Sequence, residues 1–190
     1  MQKKYFFIIF FLAIFWNSVN AQNAGSQPRA EVSFAFNRQG GFSTNQFAVW
    51  IEDNQGNHIR TLYATKFTAS GGWKKRPNSI PLWVQKSGLS SLDKKETDAL
   101  TGATPRTGTL NYVWDGLDKN GRPRAAGEYR LFLEATLRGD SKVLYNASFS
   151  LTSGSGGSAN PVQAEVKTEY FGGSIKERAM IENVKILYRP

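Results

Sequence analysis

Apolar residues at every second position are the feature that most restricts how this chain can fold. Val32, Phe34 and Phe36 alternate with Ser33, Ala35 and Asn37, and Phe47, Val49 and Ile51 alternate with Ala48 and Trp50. A side-chain period of two belongs to extended strands, whose successive residues point to opposite faces. The same reading places strands at His58–Tyr63, Leu110–Trp114, Glu128–Arg138, Val143–Leu151, Gln163–Phe171 and Met180–Tyr188. In the longest, Tyr129, Leu131, Leu133, Ala135 and Leu137 line one face. Asn54-Gln55-Gly56-Asn57 is turn chemistry and predicts a hairpin between the strands on either side. Asp118-Lys119-Asn120-Gly121 and Arg138-Gly139-Asp140-Ser141 read as connecting turns. One stretch, Ser90–Leu100, reads as helix, with N-cap candidates ahead of Leu92, Glu96 and Leu100. Ser153-Gly154-Ser155-Gly156-Gly157-Ser158 has the composition of a flexible loop. The two strands after it are too few for a domain of their own and should pair into the main sheets. Many short strands separated by turns predict an all-β chain, an antiparallel β-sandwich.

The N-terminus predicts export. Lys3 and Lys4 precede an unbroken apolar run, Tyr5–Trp16, followed by Asn17-Ser18-Val19-Asn20-Ala21. These are the charged, apolar and small-residue regions of a signal peptide over residues 1–21, cleaved after Ala21. The run is shorter than the roughly 20 residues a membrane-spanning helix needs. An uncleaved anchor is the alternative. Residues 22–30 are polar and expected to be disordered, which leaves 31–190 as a single domain. The chain carries +9 at pH 7; without Lys3 and Lys4 it keeps 22 basic against 15 acidic residues, or +7. An exported protein meets little nucleic acid, so this charge points to an envelope surface or an anionic partner. The absence of cysteine rules out disulfides, thiolate metal sites, lipoprotein anchoring and cysteine nucleophiles. A Ser–His hydrolase would depend on His58, the one histidine, which reads as a surface residue.

Asp98-Ala99-Leu100-Thr101-Gly102-Ala103-Thr104, closed by Pro105, is the segment that carries chemical information. Two readings of the residues stand side by side. One is a helix C-terminus followed by a turn. The other is an accessible Thr104 hydroxyl, in a loop where Gly102 and Ala103 leave room for another molecule and Pro105 constrains direction. The segment is similar to the flavinylation motif of extracytoplasmic FMN-bearing proteins, known from the FMN-binding subunits of sodium-pumping quinone reductases. Its fixed positions correspond to Asp98, Thr101, Gly102, Ala103 and Thr104. By composition, a chance match occurs in on the order of one chain in a thousand. The resemblance implies FMN joined through its phosphate to Thr104 by a flavin transferase that uses FAD.

A wider resemblance covers about Glu31 to Leu151. Trp114-Asp115-Gly116-Leu117-Asp118, Gly121, Pro123 and Ala126-Gly127-Glu128-Tyr129 resemble a hairpin of Ig-like domains similar to the flagellar hook-cap protein's sandwich. The signal peptide and Asp98–Thr104 are departures from that hook-cap pattern. Together these features resemble a domain-of-unknown-function family of predicted periplasmic proteins, associated with flavin transferases and with PepSY-type membrane flavin or haem reductases. The expected fold is therefore an antiparallel Ig-like β-sandwich with one short helix and long loops.

Other constellations weigh less. Asp115, Asp118 and Asn120 lack the spacing of a calcium loop and read as a turn, so no metal site is expected. Trp73-Lys74-Lys75-Arg76 is either a solvated loop or a lip over a planar or anionic ligand, with Trp73 stacking. Trp83 reads as core. Trp73 and Arg106 are candidate flavin contacts. No catalytic residue is assigned, because the resemblance implies an electron carrier of the periplasm fed by a membrane reductase. The alternative is a non-catalytic Ig-like binding or assembly module of the envelope.

Overall fold

A computed structural model describes residues 29–40, 45–137, 141–151, 160–172 and 179–189. The signal segment, residues 22–28, most of the turn at 138–141 and the Gly/Ser loop at 153–158 lie outside the described residues. The first strand, β1 (Arg29–Phe36), already includes Arg29 and Ala30, so these two belong to a sheet and not to the N-terminal segment expected to be disordered.

The strands form two sheets packed face to face. In the four-stranded sheet β1 lies between β5 (Gly108–Trp114) and β10 (Ile181–Arg189), and β8 (Val162–Gln163) flanks β10. The six-stranded sheet runs β4 (Thr101–Gly102), β3 (His58–Thr65), β2 (Gln46–Asp53), β6 (Gly127–Thr136), β7 (Lys142–Leu151), β9 (Lys167–Phe171). Every pairing is antiparallel except β3 with β4, which is parallel. The alternating residues close the sandwich as their period requires: Val32, Phe34, Phe36, Phe47, Val49, Leu131 and Leu133 are all buried in one apolar core. The fold is an all-β sandwich.

Three expectations need correction. β5 and β6 sit in different sheets, so the segment between them is not a hairpin joining paired strands. It crosses the sandwich, with a small antiparallel bridge between Leu117 and Pro123 around Asp118–Gly121. The strand expected at Gln163–Phe171 is two strands, β8 in one sheet and β9 in the other, because the chain changes sheets between them. Finally, where one helix is expected the described residues hold three α-helices, α1 (Trp73–Lys75), α2 (Pro81–Lys86) and α3 (Lys94–Leu100).

These helices form a third layer on the outer face of the six-stranded sheet. Ala69, Ile80, Trp83 and Leu89 of this insert pack on Ala48, Trp50, Phe132 and Leu144, and the rings of Trp50 and Phe132 stack at 5.1 Å. Helices this short do not hold themselves, and directional bonds to the sheet fix α2. Glu134, fully buried on β6, accepts the backbone N–H of Trp83 at 2.8 Å and of Leu82 at 3.2 Å. Thr136 accepts the N–H of Ile80, which is held at φ 42°, a left-handed conformation that costs a β-branched residue about 1–2 kcal/mol. Trp83 Nε1 donates to Thr61 at 2.9 Å, and Lys86 bonds Glu52 at 3.2 Å. α3 begins with a reciprocal cap in which Asp93 accepts the Glu96 N–H and Glu96 accepts the Asp93 N–H.

Candidate functional site

The acceptor-like segment begins on α3 and ends beyond the sheet. Asp98 is exposed on the helix, and Thr101 leaves it in an extended conformation, φ −125° and ψ 151°. Thr101 and Gly102 then pair with Ala64 and Thr65 of β3. Ala103 is exposed and Thr104 partly exposed, past the last pairing of this edge. A little further on, Thr107 Oγ1 accepts the N–H of Arg38, just after β1, at 3.0 Å. The stretch from Ala103 to Thr107 therefore bridges the two sheets at one end of the sandwich.

Tyr63 ties this segment to the core. Its hydroxyl donates to the Ala103 carbonyl at 2.7 Å. A Cβ placed on Gly102 would lie 2.8 Å from Tyr63 Cε2, so the glycine is required by the ring lying against it. The same ring stands 5.0 Å from both Phe47 and Tyr112. Burial pushes the Tyr63 phenol up to about 12, which keeps it a donor at any ordinary pH. Burial raises Tyr112 as well, with Tyr63 adding to it.

A cleft of about 770 Å³ opens between the insert's first turn and α3. Lys66, Trp73, Lys74, Leu92, Lys94 and Asp98 are among the residues that line it. Its size falls within the range of sites that hold small organic ligands. Trp73 is partly exposed, and Lys74 Nζ lies 5.6 Å from the centre of its ring. The basic run around Trp73, one reading of which was a solvated loop, is thus the short helix α1 and the wall of a cleft. Trp73 and Asp98 are brought to one site, whereas Thr104 and the exposed Arg106 are not among its lining residues. Tyr63, Lys66, Leu92 and Lys94 were not among the site residues expected from sequence. Nothing in the chain's linear order connects Tyr63 to Gly102; only the parallel pairing of β3 and β4 does.

The remaining candidates have structural partners. Asp115 pairs with Arg60 at 2.8 Å, and Asp118 accepts the N–H groups of Asn120 and Arg122. Backbone bonding from Arg122 is the main reason the Asp118 carboxyl titrates below its usual range. Among the described residues no group of three or more His, Asp or Glu side chains could hold a metal. His58 is half-buried, with Nε2 2.9 Å from the buried Thr61 hydroxyl, and burial followed by the charge of Lys119 pushes it down to about 4. Trp83 is fully buried in the outer core. Among the described residues no helix is long and apolar enough to cross a membrane.

No curated protein and no solved structure matches the chain. A family model described as a predicted periplasmic protein, DUF2271, matches residues 29–170, from the start of β1 into β9 and across the whole of the insert, cleft and acceptor-like segment. The chain belongs to this family of predicted periplasmic proteins.

Proposed function

We propose that this protein is a periplasmic flavoprotein that carries FMN covalently on Thr104 and relays electrons from a membrane flavin or haem reductase. The observation that carries the reading is the Asp98–Thr104 segment, with a match at each fixed motif position and Thr104 partly exposed beyond the edge of β4. An acceptor threonine must be reachable by a second enzyme, and a position past the last sheet pairing satisfies that. Attachment forms a bond between Thr104 Oγ1 and the FMN phosphorus of FAD. The pyrophosphate bond breaks, AMP leaves, and the hydroxyl proton passes to the transferase.

The chain's own residues have separable roles in this reading. Thr104 supplies the oxygen. Gly102 admits the Tyr63 ring, and Tyr63 holds the Ala103 carbonyl, which fixes the direction in which the chain leaves the sheet. Asp98 and Thr101 are positions for the transferase to engage, and Arg106 is a cation close in sequence to the phosphodiester. When bound, the flavin supplies the electron transfer.

The test is intact mass of protein exported from cells with an active flavin transferase. The expected result is an added mass of FMN less one water, mapped to the peptide containing Thr104 and absent in Thr104→Val. No adduct under verified transferase activity, or an unchanged adduct in Thr104→Val, overturns the reading. Absence of any adduct would favour the alternative, a non-catalytic binding or assembly module of the envelope, whereas an unchanged adduct in Thr104→Val would move the flavin to another residue.

A further inference from the structure

We infer that the cleft between Lys66–Lys74 and Leu89–Asp98 is a binding site for the ring system and phosphate of FMN, a step that rests on the flavoprotein reading and extends it to residues outside the motif. The argument starts from what lines the cleft. Ala69, Leu89 and Leu92 supply apolar surface, Trp73 an aromatic wall, and Lys66, Lys74 and Lys94 positive charge. Asp93 and Asp98 also border it, but the Asp93 carboxylate is engaged in capping α3. Apolar floor, partly exposed indole and lysine rim are the complement of a planar aromatic group that ends in an anion. A small acid without a ring would leave the floor and the indole unused, and a neutral ring would leave the lysines unused.

Topology links this site to Thr104. β3 and β4 are parallel, with Thr65 beside Gly102, so both strands leave the sheet at the same end. The next residue on β3 is Lys66, a wall of the cleft, and the next residues on β4 are Ala103 and Thr104. On its other side the segment joins the cleft through α3, where Thr97 and Asp98 line it. The cleft is therefore bordered by the helix that leads into the acceptor segment and by the residue that follows its partner strand β3. An antiparallel β4 would have sent Thr104 toward the opposite end.

Thr104→Val protein, which has no acceptor hydroxyl, tests the inference with free FMN as the probe. Binding is followed by quenching of flavin and tryptophan fluorescence and by calorimetry, with riboflavin and AMP as comparisons. Saturable binding of FMN is expected, at least tenfold tighter than AMP and several-fold tighter than riboflavin, which lacks the phosphate. Trp73→Ala should weaken FMN by tenfold or more. Lys66→Glu, on an exposed side chain that leaves the fold intact, should weaken FMN while changing riboflavin little. No saturable binding, binding unchanged in both variants, or AMP equal to FMN overturns the site. The two readings fail separately. An adduct on Thr104 without binding of free FMN removes the cleft and keeps the attachment. Free FMN binding without an adduct supports the cleft and removes the attachment.

Discussion

The two faces of the six-stranded sheet are built by different rules. The inner face, shared with the four-stranded sheet, is a continuous apolar core in which Phe47, Val49, Leu131, Leu133 and their neighbours meet β1. The outer face has its own apolar patch around Trp50 and Phe132, but Glu52, Thr61 and Glu134 are buried there as well, each bonded to an indole, an ammonium or a backbone N–H of the sheet or insert. Burial of apolar area is non-directional, so it favours a sandwich without specifying where a short helix must sit. Hydrogen bonds are directional, and unpaired ones in the interior are costly, so they select one placement of the insert. The candidate site is assembled on the outer side and at the edge. The inner core supports it through Tyr63.

The largest effect should come from the inner face. Phe47 stands within 5.0 to 6.2 Å, ring centre to ring centre, of Phe34, Phe36, Tyr63 and Tyr112. Phe47→Ala should cost about 3–5 kcal/mol, as a fully buried aromatic does, and lower one cooperative melt of sandwich and insert together. A loss below about 1 kcal/mol in chemical denaturation would show that the inner core is not what unites the two layers.

The outer face should reveal itself through pH. Burial raises Glu134 from its ordinary 4.5 to about 7, against the two N–H donors that favour the charged form. Its folded pKa is above the unfolded one, so its stabilisation is complete below about 4.5 and is lost as pH rises through 7. His58 runs the other way: lowered from 6.5 to about 4, it contributes stability above 6.5 that is lost as pH falls through 4. Between pH 4.5 and 6.5 the two slopes oppose one another and the wild type should be nearly flat. Asp53 and Asp118 are lowered from 3.8, so their losses fall below this window. Glu134→Gln should expose a loss of roughly 1.4 kcal/mol per pH unit on acidification, and His58→Gln a gain of similar size. Denaturation at three pH values checks both. Parallel profiles for the wild type and the two variants would mean that neither group titrates with folding.

The same contrast explains what could be read from the sequence. Tyr129, Leu131, Leu133, Ala135 and Leu137 were legible as one face because burial on that side follows the strand period, and all five are buried in the inner core. The outer face was not, because Trp50 and Phe132 fall on positions of the opposite parity that an alternation argument assigns to solvent. α2 was hidden in Ile80-Pro81-Leu82-Trp83-Val84, too short an apolar run to show a helical period, although Pro81 at its first turn is a helix-start signal. His58 looked like a surface residue because Trp83, which donates to its strand neighbour Thr61, and the Lys119 and Lys86 charges that help push it down reach it only through tertiary packing. Within the candidate site, Asp98–Thr104 was visible as a local string, whereas the cleft joins residues as far apart as Lys66 and Asp98.

The smallest expected effect lies where inner core and site meet. Tyr63 has its ring in the aromatic cluster of the inner face and its hydroxyl on Ala103, so Tyr63→Phe separates packing from placement. The ring still fills its space against Gly102 and Phe47, and water can reach the exposed Ala103 carbonyl. The cost should be about 0.5–1.5 kcal/mol, the worth of one hydrogen bond, and the melting temperature should fall by roughly 1–6 °C. The local consequence should exceed the global one. Amide exchange across Thr101–Ala103 should accelerate while β2 and β6 remain protected, because β4 has only two residues of pairing to hold it. Under the proposed attachment, flavin transfer to Thr104 should slow by no more than about tenfold, since 1.4 kcal/mol is one decade and the Thr104 hydroxyl is still present. Unchanged exchange at Thr101–Ala103 would mean that the hydroxyl does not hold the segment, and that the edge strand stands apart from the core.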